Sequence, residues 1–440
     1  MRFFGFLFLC AIFPAAAATT QAPVTFYKNV LPILQKNCQG CHRPGEAAPM
    51  SLLTYKEVRP WARAIRQSVL IRKMPPWFAD SAHGKFANDR SLAKADIDTL
   101  VRWADTGAKE GDPADAPPPV QFVDGWNIGK PDIVFEMPNE FHVPASGTIE
   151  YQYIVIPTGF TEDKWVQMAE VRPGNRALVH HVIAFVRPPG SQWLKDARPG
   201  IPFVPGRQKS ETAERSGQRQ RDEGDQGIGD FLVGYAPGTV PEVLEPGRAK
   251  LIKAGSDLVF QMHYTANGKA GTDKSKIGLI FAKEPPRERV VTMAVSNNKF
   301  VIPPGAPNHR VDARLTIRDE AWLIGMLPHM HLRGKSFEYR ALYPDGREEV
   351  LLKVPRYDFS WQLSYYPEKP IRLVPGTVIE AIAHYDNSPN NPSNPDPTVE
   401  VRYGDQSWEE MMFGFFDVAF DVHKDPADLL RGKKKQQSGD

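Results

Sequence analysis

The chain has 440 residues, enough for roughly two to four domains, and a formal net charge of +2. That balance excludes a protein recruited by charge to nucleic acid or to an anionic membrane. With 41 Pro and 34 Gly, the composition favours short strands and turns over long helices.

Residues 1–18 stand apart. Arg2 precedes the apolar run Phe3 to Phe13, and Pro14 with four alanines follows. A charged start, an apolar stretch and small residues predict a secretory signal cut near Ala17 or Ala18, hence a periplasmic or secreted protein. The run is too short to serve as a comfortable membrane anchor, and no later segment is apolar enough to span a bilayer. Cys10 would leave with the signal. Cys38 and Cys41 then remain as the only thiols.

Those two belong to Cys38-Gln39-Gly40-Cys41-His42. Two thiols three apart attach to the vinyl groups of a haem, and the adjacent imidazole reaches the iron from the same turn. A thioredoxin-like pair would need a βαβ setting, and a zinc site a second Cys pair; the sequence offers neither. One covalent haem c is therefore expected on Cys38, Cys41 and His42. Around the motif, Phe26, Val30 and Leu34 predict a short amphipathic helix. Thr54 and Glu57 form a capping box ahead of a helix bearing Val58, Trp61, Ala62, Ile65 and Val69. A last helix carries Ile97, Leu100, Val101 and Trp103 and stops at Gly107. Residues 24–112 thus resemble a small all-helical cytochrome c domain. Met74, in a Pro-fixed loop, is the preferred sixth iron ligand, with Met50 and His83 as competitors.

Residues 113–130 begin with a Pro-rich stretch that predicts a stiff, extended linker. Short β-branched and aromatic runs follow: Ile149 to Pro157, Val179 to Val186, Leu258 to Tyr264, Arg314 to Met326, Thr377 to His384 and Met411 to Val422. That spacing predicts all-β sandwiches. Residues 206–229 are almost wholly polar and predict a surface insertion without its own core. Residues 426–440 end in a polar tail with Lys433 to Lys435.

Five histidines fall in strand-like contexts: His180-His181, His263, and His329-Met330-His331. A His-x-His pair on a strand points both imidazoles to one face. The adjacent pair reaches one ion only at a strand end or bulge. Singly, each has a plainer reading as a core or surface residue, and Met411 alone is core packing. Jointly they resemble the copper type II, ascorbate-dependent monooxygenases, the family of peptidylglycine α-hydroxylating monooxygenase and dopamine β-monooxygenase.

The resemblance spans about residues 131–425. It implies two jelly-roll domains, 131–288 and 289–425, each with one copper. By resemblance His180, His181 and His263 hold the electron-donating copper. His329, His331 and Met411 hold the oxygen-activating copper, with Met412 as the alternative to Met411. Imidazole suits copper in both oxidation states and a thioether favours the cuprous form. In peptide-hydroxylating members an Arg two residues before His-x-His, and an Asn and a Tyr after the Met, clamp the substrate. Here Leu327, Phe413 and Phe415 stand there, whereas Gln261 matches a family glutamine near the substrate. The family's disulfides have no cysteines here.

The expected protein is an exported copper-dependent monooxygenase-like enzyme using dioxygen and a small uncharged organic substrate. Electrons would come from an external redox protein or ascorbate-like reductant through the haem. The alternative is a non-catalytic haem/copper electron-transfer or copper-binding protein. His384 reads as structural; His142, His309 and His423 carry no functional argument.

Overall fold

The computed structural model describes residues 22–46, 48–123, 125–204, 228–229 and 231–431. The expected signal segment, most of the 206–229 insertion and the end of the tail lie outside them. Strand makes up 35% of the chain and helix 12%, so the β-rich class read from composition holds. No helix among the described residues is long and apolar enough to cross a membrane.

Apart from Asp428–Arg431, the described helices gather near the N-terminus. Phe26–Val30 runs into Leu31–Asn37. Thr54 caps Tyr55–Val58 through a complete capping box with Glu57. Ala62–Leu70 and Lys94–Asp105 follow, and Gly107 ends the second with φ +95°, a conformation that glycine adopts without steric cost. Phe26, Val30, Leu34, Val58, Leu100 and Trp103 share one buried cluster. Trp61, expected on the apolar face, is 42% exposed instead. The chain tightens to a 3-10 turn over Arg59–Trp61, and the changed rotation per residue carries the indole off that face.

Three sheets, arranged as two pairs that share the longest, make up most of the rest. One four-stranded sheet orders Gln152–Pro157, Asp257–Tyr264, Val179–Arg187 and Phe231–Tyr235. A second orders His309–Thr316, Val378–Tyr385, Gly334–Leu342 and Glu348–Val354. Both pack on one long sheet of ten strands among the described residues. Its first half, including Lys164–Arg172 and Lys276–Phe281, shares a core with the first small sheet. Its second half, including Glu288–Ser296, Phe413–Asp421 and Ala321–His329, shares a core with the second. The run expected over Arg314 to Met326 is two strands in different sheets. The charged triplet Arg318-Asp319-Glu320 forms the turn between them, where Asp319 accepts from the Glu320 N–H at 2.7 Å.

The extended linker is tied down rather than free. Gln35 donates to the Pro118 carbonyl at 3.0 Å, the Arg43 guanidinium lies 4.2 Å over Phe122, and Asn127 donates to Glu170. The segment after Met74 leaves the helices altogether. Phe78 enters the core of the second sheet pair, and Asp80, Ala87 and Asn88 bond to Lys353, Tyr366 and Ser364.

The halves of the long sheet meet where Arg248–Ile252 runs parallel to Glu288–Ser296. Buried Lys250 stitches this seam. Its ammonium donates to the Leu232 carbonyl at 3.0 Å and Thr292 at 3.3 Å, and lies 2.7 Å from Glu242 and 3.9 Å from Asp417. Burial pushes the Glu242 carboxyl up to about 7 against the pull of Lys250, with Asp417 reinforcing the rise.

Removing the cation should strand two partly buried carboxyls. Lys250→Met should cost about 3–5 kcal/mol in denaturant unfolding; a loss below ~1 kcal/mol would show the seam does not depend on it. Glu242 keeps its proton when folded above the ~4.3 of the unfolded chain. Its stabilisation is therefore complete below about 4.3 and fades as pH rises through about 7. Thermal melts of Glu242→Gln between about pH 4.5 and 7 should decline less steeply with rising pH than wild type.

Candidate metal centre

Strand alternation sets up the first histidine cluster. In Asp257–Tyr264, Met262 and Tyr264 are buried in the core, which turns Gln261 and His263 to the other face. His263 pairs with His181, but the next partner of Tyr264 is Val179. The register therefore skips His180, a bulge that lets neighbouring residues turn to one side. His180 Nδ1 lies 3.3 Å from His181 Nδ1, and His263 Nδ1 lies 3.4 Å from it. Nitrogens about 2.0 Å from a shared ion sit about 3.3–3.5 Å apart in tetrahedral or trigonal geometry. The cluster has that spacing. Tyr151 stacks on His263 at 4.6 Å between centroids and backs His181 at 5.4 Å.

His329 closes strand Ala321–His329, and His331 lies just beyond it. The pair thus sits at a strand end, not along one strand face. Met330 between them is fully buried in the core, so the two imidazoles point away from it, 5.3 Å apart and perpendicular at 89°. His329 Nδ1 lies 3.0 Å from the Gln362 side-chain oxygen, and His331 Nδ1 lies 3.2 Å from the Glu409 carbonyl. Both partners only accept, so both Nδ1 atoms carry the proton and each Nε2 presents a lone pair. His331 Nε2 is buried with no hydrogen-bond partner. A buried acceptor left empty in this way fits a metal ligand whose other nitrogen is held by a carbonyl.

Buried Glu410 fixes this corner. It accepts from the His331 N–H at 2.8 Å and the Arg333 N–H at 2.6 Å. Burial raises its carboxyl to about 8, against those two donors and the Arg333 charge. Tyr385 donates to the Met411 carbonyl at 2.7 Å. Met412 is fully buried in the core, whereas Met411 is only half-buried, so of the two Met411 has its thioether outside the packed interior.

The two clusters face each other across one ring. Phe359 stacks on His180 at 5.3 Å and meets His331 edge-on at 5.8 Å. All five imidazoles are held neutral: burial lowers each one, and neighbouring imidazoles add to the effect on all but His329, where Gln362 opposes it. His263 and His331 fall to about 3. Neutral, desolvated imidazoles are the form that binds a metal.

A cleft between the sheet pairs is lined by His181, His329, Leu327, Phe415, Phe231 and Tyr235, with Glu242 and Asp417 at a polar end. Phe413 stacks behind Phe415 at 5.2 Å. Gln261 does not line the cleft; its amide donates to Tyr153. His384 lies apart on Val378–Tyr385, 3.2 Å from Ser336.

At the N-terminus, Cys38 ends helix Leu31–Asn37, and its carbonyl accepts from the N–H groups of Cys41 and His42 at 3.1 and 2.9 Å. One turn therefore carries both unpaired thiols and the imidazole. Nothing lies within 4 Å of a Cβ built on Gly40. Burial pushes the Cys38 thiol up to about 12 and lowers His42, the latter opposed by the Met50 backbone. Met50 packs on the helical core. Met74 precedes the segment that departs to the second sheet pair, and His83 lies within that segment, its N–H on the Asp80 carbonyl at 3.0 Å.

Sequence reasoning missed Phe359, Gln362, Tyr151 and the cleft side of Tyr235. Nothing local marks an aromatic or amide that becomes important only through long-range packing. Gln362→Leu should weaken metal binding at His329/His331 about 10–100-fold while sparing the three-histidine cluster. Calorimetric copper titration would show one weakened phase; equal weakening of both, or of neither, would rule out this role.

No family model and no curated protein matches the chain. Among solved structures, the VP2 subviral particle of infectious bursal disease virus is similar at 9% identity over 68% of this chain and 74% of that one, with a TM-score of 0.20. Allantoicase is similar at 10% identity over 56% and 81%, with a TM-score of 0.15. Likeness that low carries no argument about function.

Proposed function

We propose that the chain is an exported copper-dependent monooxygenase-like oxidoreductase. It would insert one oxygen atom from dioxygen into a substrate C–H bond, with electrons delivered through a fused haem c. The carrying observation is the buried, unpartnered His331 Nε2 beside the Met411 segment, one phenylalanine ring away from a second neutral histidine cluster. On this reading residues 24–112 form a cytochrome c domain and the two sheet pairs are jelly rolls.

The residues divide the work. His180, His181 and His263 would hold one copper; His329, His331 and Met411 would hold the other. Cys38, Cys41 and His42 would hold the haem, with Met74 as the preferred sixth ligand. Copper there would supply dioxygen reduction, and haem would supply electrons singly. The overall change consumes dioxygen, substrate, two electrons and two protons, and yields hydroxylated substrate and water. Gln362 and the Glu409 carbonyl fix the tautomers of His329 and His331. Leu327, Phe415 and Phe231 give the cleft an apolar wall that excludes water and suits an uncharged organic substrate. The external donor is a redox protein or ascorbate-like reductant.

A non-catalytic haem/copper electron carrier is the second reading, favoured by the Phe413–Phe415 stack filling space beside His329. Metal analysis with haem spectra under oxygen decides. Wild type should bind two coppers and one haem, and oxygen-dependent haem oxidation should be lost in Met411→Ala. Zero or one copper would overturn the two-copper reading; full metal content without oxygen-dependent oxidation would favour the carrier.

A further inference from the structure

The Cys38–His42 turn does not face open solvent on every side. Glu46, four residues beyond His42, lies 3.1 Å from Arg43 and 3.3 Å from Arg176, which belongs to the first sheet pair. The Arg176 guanidinium in turn sits 5.5 Å from the centre of the Tyr235 ring. Arg90, from the helical side, donates to the Gly238 carbonyl at 2.6 Å, just past Tyr235. The Glu46–Arg176 pair therefore ties the chain just after the turn to the residue that lies over Tyr235, and Arg90 holds the segment after Met74 to the loop just past it.

Tyr235 is also a cleft residue, in company with His181. It is buried, and the register pairs it directly with Val182, the residue bonded to His181. Electron tunnelling decays less steeply through bonds and packed rings than through gaps. An aromatic ring with the Glu46-paired Arg176 guanidinium over it, and with its residue paired in the ladder to Val182, the chain neighbour of His181, shortens any through-space jump.

We propose that Tyr235 is the electronic bridge from the Cys38–His42 turn to the His180/His181/His263 cluster, with the Arg176–Glu46 ion pair holding the turn against it. The inference rests on the haem and copper reading above. A single electron passes: iron goes from ferrous to ferric and copper from cupric to cuprous, with no proton or ligand exchanged. Arg176, Glu46 and the Cys41 thiol all act electrostatically on the Tyr235 hydroxyl. Tyr235 is a positioning and coupling residue; it does not bind metal or touch the reacting oxygen.

The test uses full-length protein loaded with haem and cupric ion, its loading first verified by absorbance and metal analysis. Under anaerobic conditions the haem is reduced by a laser-generated radical donor, and its reoxidation by copper is followed optically. Tyr235→Leu should slow reoxidation by about an order of magnitude with unchanged haem spectrum and copper content. Tyr235→Phe should preserve the rate, because the ring rather than the hydroxyl carries the coupling. Arg176→Gln should slow it too, and Phe185→Leu, on the same sheet but away from the contact, should not. Wild-type rates in fully loaded Tyr235→Leu would overturn the bridge and leave the copper reading intact. Failure of the wild type to load both haem and copper would overturn both together.

Discussion

The buried ammonium of Lys250 is the contact on which the arrangement of the two sheet pairs depends. A parallel seam between Arg248–Ile252 and Glu288–Ser296 offers few ladder bonds of its own. Lys250 adds a carbonyl, a threonine and two carboxylates drawn from both sides of that seam. A buried cation is tolerated only with such company. Once the seam is fixed, the strand ends carrying His181 and His329 are forced to open into the same cleft.

The cleft's chemistry follows from desolvation. Burial lowers all five imidazoles, and neighbouring imidazoles add to that on every one but His329, so they stay neutral at ordinary pH and keep lone pairs available. The chain satisfies one nitrogen on His329 and one on His331 with fixed oxygens, and leaves His331 Nε2 without a partner. A fold built only for stability would have filled or replaced such an atom. Phe359 stands between the clusters, stacked on His180 and edge-on to His331.

The helical segment is bound to both sheet pairs. Glu46 and Arg90 bind it to the first, while Arg356, on the second, donates to the Ile71 and Arg72 carbonyls at 3.2 and 2.9 Å. Phe78 and Trp77 lie against the second core. The short chain between helices Ala62–Leu70 and Lys94–Asp105 thus acts as a strap over the second sheet pair. Its prolines and aromatics look like loop filler until that surface is present.

Much of this was legible from residues alone because it is local. The capping box at Thr54 and Glu57, the stop at Gly107, the turn through Cys38 and His42, and the alternation around His263 all depend on neighbours within a few positions. The grouping of His180 with His181 was written in their adjacency, which demands a bulge. Tertiary structure alone decided what distance in the chain conceals: Phe359 between two histidine clusters, Gln362 on His329, Tyr235 against Val182, and Gln261 turned to Tyr153 instead of the cleft. It also rotated Trp61 outward and split the Arg314 to Met326 run. Periodicity records which face of an element is buried; it holds no record of which distant element covers that face, because that is set by sheet order and by the pairing across the seam.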